Sequence, residues 1–339
     1  MPEPSPTPAR RGRLLRFGAA VAVLFALAGY LAVQYLTGGA GAPRCRVVSG
    51  HDDDASYEFT PEQAVNAATI SAVGTSRRLP ERAVAIALAT SLQESGLRNI
   101  RHGDRDSLGL FQQRPSQGWG TKKQILDPTY AAGVFYEHLA KVPDYTRLPL
   151  TVAAQRVQRS GYPQAYAKHE PDAALLAAAL TGRAAATLTC EGRVGATPAG
   201  GPDSVRAALV RDFGHDLLQE AGADVSAQDA SPAPDGTSSS SPSATSGPAP
   251  EPSSPASAVS ARTVTVPVRK DAAGGTGVRG WELAHWAVAN SSALRIERVS
   301  YAGREWTAGR REGEWLRSGA QGSPAAAEAA TEVRIVTAQ

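Results

Sequence analysis

The sequence predicts a mainly α domain and a small α+β C-terminal domain, both following one N-terminal transmembrane helix. Three observations support this: an apolar run near the N-terminus, capped helical segments before residue 190, and alternating apolar residues near the C-terminus. A chain of 339 residues has room for two ordinary domains with tails and linkers. We therefore divide it into a cytoplasmic tail, an anchor, a helical domain, a spacer and a C-terminal domain, at residues 1–16, 17–36, 55–190, 191–260 and 261–339.

The N-terminal segment has the length and composition of a membrane anchor. Residues 17–36 are apolar apart from Gln34, and about 20 helical residues span the core of a bilayer. Arginines are more frequent before this run than after it, so the positive-inside rule puts the N-terminus in the cytoplasm and the body outside. The alternative is a cleaved signal peptide with its cleavage site at Ala40-Gly41-Ala42. The protein is then either a single-pass protein of the cell membrane or secreted, and both interpretations export the body.

Cys45 and Cys190 are the two cysteines of the chain. Outside the cytoplasm thiols oxidise and persist as disulfides, so export predicts a bond between them. Such a bond would close a loop over almost the whole helical domain and contribute about 4–5 kcal/mol of stability. Two unrelated buried thiols are the alternative.

Capping residues divide the helical domain. Thr60 followed by Pro61 and Gln63 combines an N-cap, a proline at the first helical position and a capping-box glutamine. Residues 101–120 lack helical periodicity and contain several glycines, which predicts a loop or small hairpin. Signals of the same kind predict five helices, which begin near Pro61, Glu81, Pro128, Thr151 and Asp172.

The rest of the chain alternates between unstructured and structured composition. Residues 223–260 are dominated by Ser, Pro and Ala, which is typical of a linker. Beyond them, residues 263–268 alternate as in a strand and Trp281–Leu294 has helical spacing. A hairpin through Gly303 and a last strand around Val333 complete a small α+β domain.

Charge and motif content exclude several classes of function. The 35 Lys+Arg residues nearly balance 32 Asp+Glu, which gives no reason to expect a nucleic-acid partner. The six histidines and two cysteines have no zinc-site spacing, and no Walker or dinucleotide-binding motif is present in the sequence. The sequence therefore predicts no metal and no cofactor.

Glu94 is the candidate catalytic acid. It follows the apolar run Ala83–Leu92, and an acid at the end of a buried helix beside a groove keeps the raised pKa needed to protonate a glycosidic oxygen. Taken alone, a glutamate at a helix end is more often a solvated surface charge. Its spacing supports the catalytic interpretation, since Gly109-Leu110-Phe111-Gln112 begins fifteen residues later and is followed by Pro115.

Together with Glu94-Ser95, this spacing resembles that of soluble-lytic-transglycosylase-type domains of the lysozyme superfamily, over residues 55–190. Those domains carry Glu-Ser, then Gly-Leu-Met-Gln and a proline; here Phe111 replaces the methionine. The resemblance implies a lysozyme-like fold and cleavage of the MurNAc–GlcNAc β-1,4 bond in peptidoglycan glycan strands. It also implies that Glu94 is the single acid/base, that Ser95 supports it, that Gln112 contacts sugar, and that no cofactor takes part.

The sequence departs from the family pattern at two places. The family asparagine after Asp-Pro is replaced by Ala131, and its Ala-Tyr-Asn-Ala-Gly segment is represented by residues 154–158. Gln155, Gln158 and Tyr166 are candidate replacements for the missing glycan contacts, and ordinary surface positions are the alternative. These departures leave open a non-catalytic peptidoglycan-binding or scaffold protein.

A hydrolytic muramidase is the third possibility. It would use a second carboxylate to activate water or to act as nucleophile, and Asp104 and Asp106 are the candidates. Aspartates are also common in turns, which is the alternative for both.

The C-terminal residues resemble, more loosely, a degenerate domain of actinobacterial cell-wall proteins related to zinc D-Ala-D-Ala peptidases. The matching segments are Gly280-Trp281, 286–290, 299–301 and 304–306. In the peptidases the last strand carries zinc-binding histidines, whereas residues 332–336 contain none, so no zinc chemistry is expected. The domain is interpreted either as a wall-binding module that stacks its tryptophans on sugar, or as a small domain with those tryptophans in its core.

Overall fold

The helical part of the chain contains six helices whose limits follow from local capping. The Thr60 side chain accepts a hydrogen bond from the Gln63 backbone N–H, and the Thr60 backbone N–H donates one to the Gln63 side chain. This pair of hydrogen bonds fixes the start of the first helix. Gly96 ends the second helix in the left-handed conformation, with φ of 62°. The helices are α1 Pro61–Ser76, α2 Glu81–Ser95, α3 Lys122–Ile125, α4 Pro128–Ala140, α5 Leu150–Gln158 and α6 Glu170–Leu180. The five predicted starts are confirmed to within two residues, and α3 was not predicted.

These helices belong to a computed structural model that describes only part of the chain. The described residues are Gly29, 44–51, 53–162, 164–191, 201–215, 217, 262–268, 277–310, 314–317 and 330–338. The predicted cytoplasmic tail and most of the predicted spacer lie outside them.

A three-stranded antiparallel sheet, which the sequence did not predict, joins the two ends of the helical part. Its strands are β1 Cys45–Val48, β2 Ser56–Phe59 and β3 Leu188–Cys190, in the order β2-β1-β3. Cys45 lies opposite Cys190 in the register of β1 and β3. The two are disulfide-bonded across a sequence separation of 145, which confirms the predicted bond.

The C-terminal part consists of a second antiparallel sheet and three helices. The last strand, β8, lies inside this sheet, because it pairs with β4 on one side and with β5 on the other. The strand order is β4-β8-β5-β6-β7. The elements are α7 Pro202–Phe213, β4 Thr263–Pro267, α8 Gly277–Ala289, α9 Ser291–Leu294, β5 Ile296–Tyr301, β6 Arg304–Thr307, β7 Leu316–Arg317 and β8 Glu332–Thr337.

The helical and C-terminal parts share one core through α8. This helix packs against α1, α6 and β3, and the described residues between 44 and 338 form one compact unit. The fully buried His285 of α8 lies between the carbonyl of Ala179, 2.7 Å from its Nδ1, and the N–H of Thr187, 3.3 Å from its Nε2. Both ring nitrogens of His285 are therefore used to hold α8 against α6 and the residue that precedes β3.

The C-terminal tryptophans lie inside this core. Trp281, Trp286 and Trp306 are 7%, 1% and 0% exposed. The indole of Trp286 donates a 2.8 Å hydrogen bond to Asp212, which is itself buried. Rings buried in this way cannot stack on a glycan, so the structure supports the core interpretation of these side chains rather than wall binding.

The predicted fold class requires a correction at the N-terminus. Of the residues expected to form a transmembrane helix, 17–36, only Gly29 is among the described residues. A bilayer crossing needs about 20 helical residues, and the longest helix described, α1, has 16. No described helix combines the length and the apolar character required to cross a membrane. The predicted class is corrected accordingly: the described residues do not support a membrane-spanning helix, and the described fold is a set of helices with two small antiparallel sheets.

Candidate active site

A cleft of about 690 Å³ opens where three helices end. The last turns of α2, α4 and α5 reach it, and the loop between α2 and α3 forms its opposite side. Its lining is mostly polar and includes Glu94, Asp104, Arg105, Ser107, Gln112, Gln113, Arg114, Gln117, Trp119, His138, Lys141, Val142, Arg156, Val157, Gln158, Arg159, Ser160 and Gly161.

Glu94 reaches the cleft because α2 is the central helix of the core. The ten residues Ala83–Leu92 are all buried, and α2 packs against α1, α4, α5 and α6. Glu94 lies in the last turn, where the helix leaves the core, and is partly buried. Burial raises the pKa of Glu94 above its ordinary value, because a carboxylate loses hydration there.

Two side chains oppose this effect by binding the Glu94 carboxyl. The hydroxyl of Tyr166 donates a 2.7 Å hydrogen bond to Glu94 Oε1. Hydrogen bonds from Tyr166 and from Gln158 both lower the pKa of Glu94, although burial outweighs them. Because these donors favour the carboxylate, the site can accommodate both protonation states of one residue.

The segment 109–113 is fixed to the ends of two helices. The carbonyl of Leu110 accepts hydrogen bonds from Ser95, at 2.8 Å, and from Ser91, at 3.1 Å. Gln158 donates a 2.7 Å hydrogen bond from Nε2 to the carbonyl of Phe111. The backbone of this segment is thus held on one side by α2 and on the other by α5, so its position relative to Glu94 is defined.

Gln112 lies on this fixed segment and lines the cleft. Its backbone has φ of 48°, in the left-handed region, and its amide donates to the carbonyl of Gly109 at 3.2 Å. The side chain packs closely on Gly103 of the same loop, where an added Cβ would lie 1.8 Å from Gln112 Oε1. Gln112 therefore lines the same cleft as Glu94, and its role as a substrate contact stays a prediction.

The structure places the other predicted site residues as follows. Gln158 lines the cleft, whereas Ser95 does not; the Ser95 hydroxyl holds Leu110 instead of facing a ligand. Tyr166 was predicted as a substrate contact, but its ring is 0% exposed and its hydroxyl is bound to Glu94. Ser95 and Tyr166 are therefore positioning residues, one for the loop and one for the acid.

The two loop aspartates differ in their surroundings. Asp106 accepts hydrogen bonds from Arg114, at 2.8 Å, and from the backbone of Ser116, also at 2.8 Å. These partners hold the pKa of Asp106 well below its usual range, with the Arg114 contact as the largest cause. Asp104 lines the cleft with its side chain 91% exposed, beside Arg105. Asp106 thus shapes the loop, and Asp104 alone faces the cleft.

Several cleft residues were missed by the sequence interpretation. Trp119 stacks on His138 with ring centroids 4.3 Å apart, and both line the cleft. Lys141, Arg156 and Arg159 also line the cleft, at the ends of α4 and α5. Trp119 lies between two glycines, and that pattern offered a local signal for an accessible aromatic. The cations carried no such signal, because helix ends are common positions for basic residues.

The described residues contain no group of three His, Cys, Asp or Glu side chains arranged to hold a metal ion. The cleft offers a carboxyl group with a raised pKa, that of Glu94, together with its hydrogen-bond donors and the polar side chains around it. No model of a known protein family matches the sequence, and a search of curated proteins finds no match either.

Proposed function

We propose that this protein is an extracytoplasmic lytic transglycosylase that cleaves the MurNAc–GlcNAc β-1,4 bond of peptidoglycan glycan strands. The observation that carries the proposal is the state of Glu94. It is a partly buried carboxyl in a cleft, with a raised pKa and a 2.7 Å hydrogen bond from the buried Tyr166. The motif resemblance described for Glu94, Ser95 and residues 109–112 supplies the reaction type.

In the proposed reaction Glu94 acts first as acid and then as base. Protonated Glu94 gives its proton to the glycosidic oxygen, and the bond from that oxygen to C1 of muramic acid breaks. The Glu94 carboxylate, held by Tyr166 and Gln158, then removes the proton of the C6 hydroxyl of the same sugar. The C6 oxygen bonds to C1, which leaves a 1,6-anhydro end, and Glu94 is protonated again. No water enters the products.

The surroundings of the aspartates support an intramolecular attack over hydrolysis. Asp106 is bound to Arg114 and Ser116 and is not free to activate water. The second candidate function is a hydrolytic muramidase, and the position of Asp104 in the cleft lining supports it. It is nevertheless a highly exposed carboxylate, 3.9 Å from the guanidinium of Arg105.

The disulfide supports the proposed location. Cys45 and Cys190 are joined in the structure, and such bonds persist outside the cytoplasm, where thiols are not kept reduced. Peptidoglycan is found in that compartment.

Digestion of purified peptidoglycan by the full-length protein tests the proposal. The wild type is compared with Glu94→Gln and with Glu62→Gln, which makes the same change at an exposed position on α1. We expect anhydro-muramyl ends, identified by mass spectrometry, from the wild type and Glu62→Gln, and none from Glu94→Gln. Reducing ends would instead establish the hydrolase, and then Asp104→Asn should abolish them. Glycan binding without products from any variant would establish a non-catalytic binding protein.

A further inference from the structure

The cleft carries an uneven distribution of charge beyond its candidate acid. Five cations line it, against two carboxylates, Glu94 and Asp104; the cations are Arg105, Arg114, Lys141, Arg156 and Arg159. An excess of cations in a confined cleft raises the local concentration of anionic ligands.

The cations fall into two groups by their partners. Arg114 pairs with Asp106 at 2.8 Å, and Arg105 lies 3.9 Å from Asp104. Lys141, Arg156 and Arg159 are exposed. None of these three makes an ion pair or a side-chain hydrogen bond to another residue in the described part of the chain.

These three residues, which we call the cationic wall, come from two helices that end at the same place. Lys141 is the C-cap residue of α4, Arg159 is that of α5, and Arg156 lies in the last turn of α5. Cations at helix ends interact favourably with the helix dipole by a few tenths of a kcal/mol. One cation at each helix end would be enough for this interaction. The interaction therefore does not explain why three cations line a single cleft.

We propose that the cationic wall binds carboxylate groups of the glycan strand and so makes the cleft selective for acidic over neutral β-1,4 glycans. This proposal rests on the proposed function, which identifies the polymer as peptidoglycan. On a muramyl strand these carboxylates have two sources: the stem peptides, or the lactyl group on C3 once the peptide is removed. In either case the guanidinium groups of Arg156 and Arg159 suit a carboxylate, because they present paired donors.

Binding is measured in the full-length Glu94→Gln protein, so that cleavage does not interfere, by equilibrium dialysis and by the change in tryptophan fluorescence, to which Trp119 in the cleft contributes. Three soluble ligands of matched length are compared: peptide-bearing glycan, amidase-stripped glycan with free lactyl carboxylates, and neutral N-acetylglucosamine oligomers. We expect Arg156→Gln and Arg159→Gln each to raise the Kd for acidic ligands by about two- to five-fold, and the double change by about ten-fold. The effect should shrink as salt rises from about 0.05 M to about 0.5 M.

The control is Arg78→Gln, which removes an exposed arginine that does not line the cleft. It should leave every Kd unchanged, and the two cleft variants should leave the Kd for neutral oligomers unchanged. If Arg156→Gln raises the Kd for the stripped glycan, the bound group is the lactyl carboxylate. If it raises the Kd for the peptide-bearing glycan alone, the bound group is a carboxylate of the stem peptide. Equal affinity for neutral and acidic ligands, or no binding of any of them, overturns the proposal. Selective binding together with a wild-type protein that forms no products would refute the proposed catalysis and leave the carboxylate site standing.

Discussion

The stability of the fold should fall in mild acid because of His285. This residue is fully buried, and burial lowers its pKa from 6.5 to about 4. In the unfolded chain the imidazole takes up a proton near pH 6.5, whereas in the folded protein it stays neutral until about pH 4. The stabilising contribution is therefore complete above pH 6.5 and is lost as the pH falls through this interval.

The size of this loss of stability follows from the difference between the pKa values of His285 in the unfolded and folded states. A difference between 6.5 and about 4 corresponds to about 3 kcal/mol of unfolding free energy between those pH values. Urea unfolding of the wild type and of His285→Gln, at intervals across this range, measures it; the wild type should lose about 3 kcal/mol more than the variant. Other titrating groups contribute equally to both proteins and cancel in the difference. If the unfolding free energies of the two proteins changed in parallel with pH, the reasoning would be refuted. If the variant does not fold, an NMR titration of the wild-type imidazole that gave a pKa near 6.5 would refute it equally.

Three further predictions concern the acid and the disulfide. Tyr166→Phe removes a donor that favours the Glu94 carboxylate, so the pKa of Glu94 rises and the basic limb of the pH–rate profile should move to higher pH. The exposed Tyr162, changed to Phe, should leave that limb in place, and an unmoved limb in Tyr166→Phe would contradict the assignment. Glu94→Gln should raise the melting temperature near neutral pH, because ionising a partly buried carboxyl whose pKa is raised costs stability there; a lower melting temperature would argue against it. Paired Cys45→Ala and Cys190→Ala changes should lower the unfolding free energy by about 2–5 kcal/mol in urea titrations, with no effect of reductant on the variant.

The helices were predictable because their signals are local. Thr60-Pro61 and Asp127-Pro128 mark the starts of α1 and α4, and Gly96 marks the end of α2, so these limits could be inferred without knowledge of the fold. The three-stranded sheet could not be found in this way. Strands β1 and β3 are three or four residues long, and each depends on a partner at the opposite end of the helical part.

The acid was predictable from its motif, whereas its surroundings were not. Tyr166 lies 72 residues from Glu94 in sequence, and only the packing of the segment after α5 brings its hydroxyl to the carboxyl. The same holds for the cationic wall, since basic residues at two helix ends look ordinary until α4 and α5 are seen to end at one cleft. Sequence patterns indicate which residues can do chemistry, and tertiary packing determines which of them meet.

The placement of Glu94 also supports a functional role without reference to any family. The carboxyl end of a helix carries partial negative charge, so stability favours a cation in its last turn and disfavours an acid. Helices α4 and α5 follow this rule at the cleft, with His138 and Arg156 in their last turns. Helix α2 has no basic residue in its last turn and has Glu94 there instead, in a partly buried position that raises its pKa. A carboxylate that opposes stability in two ways, by its position at the negative end of the helix dipole and by its burial, is best explained by a chemical role for its proton.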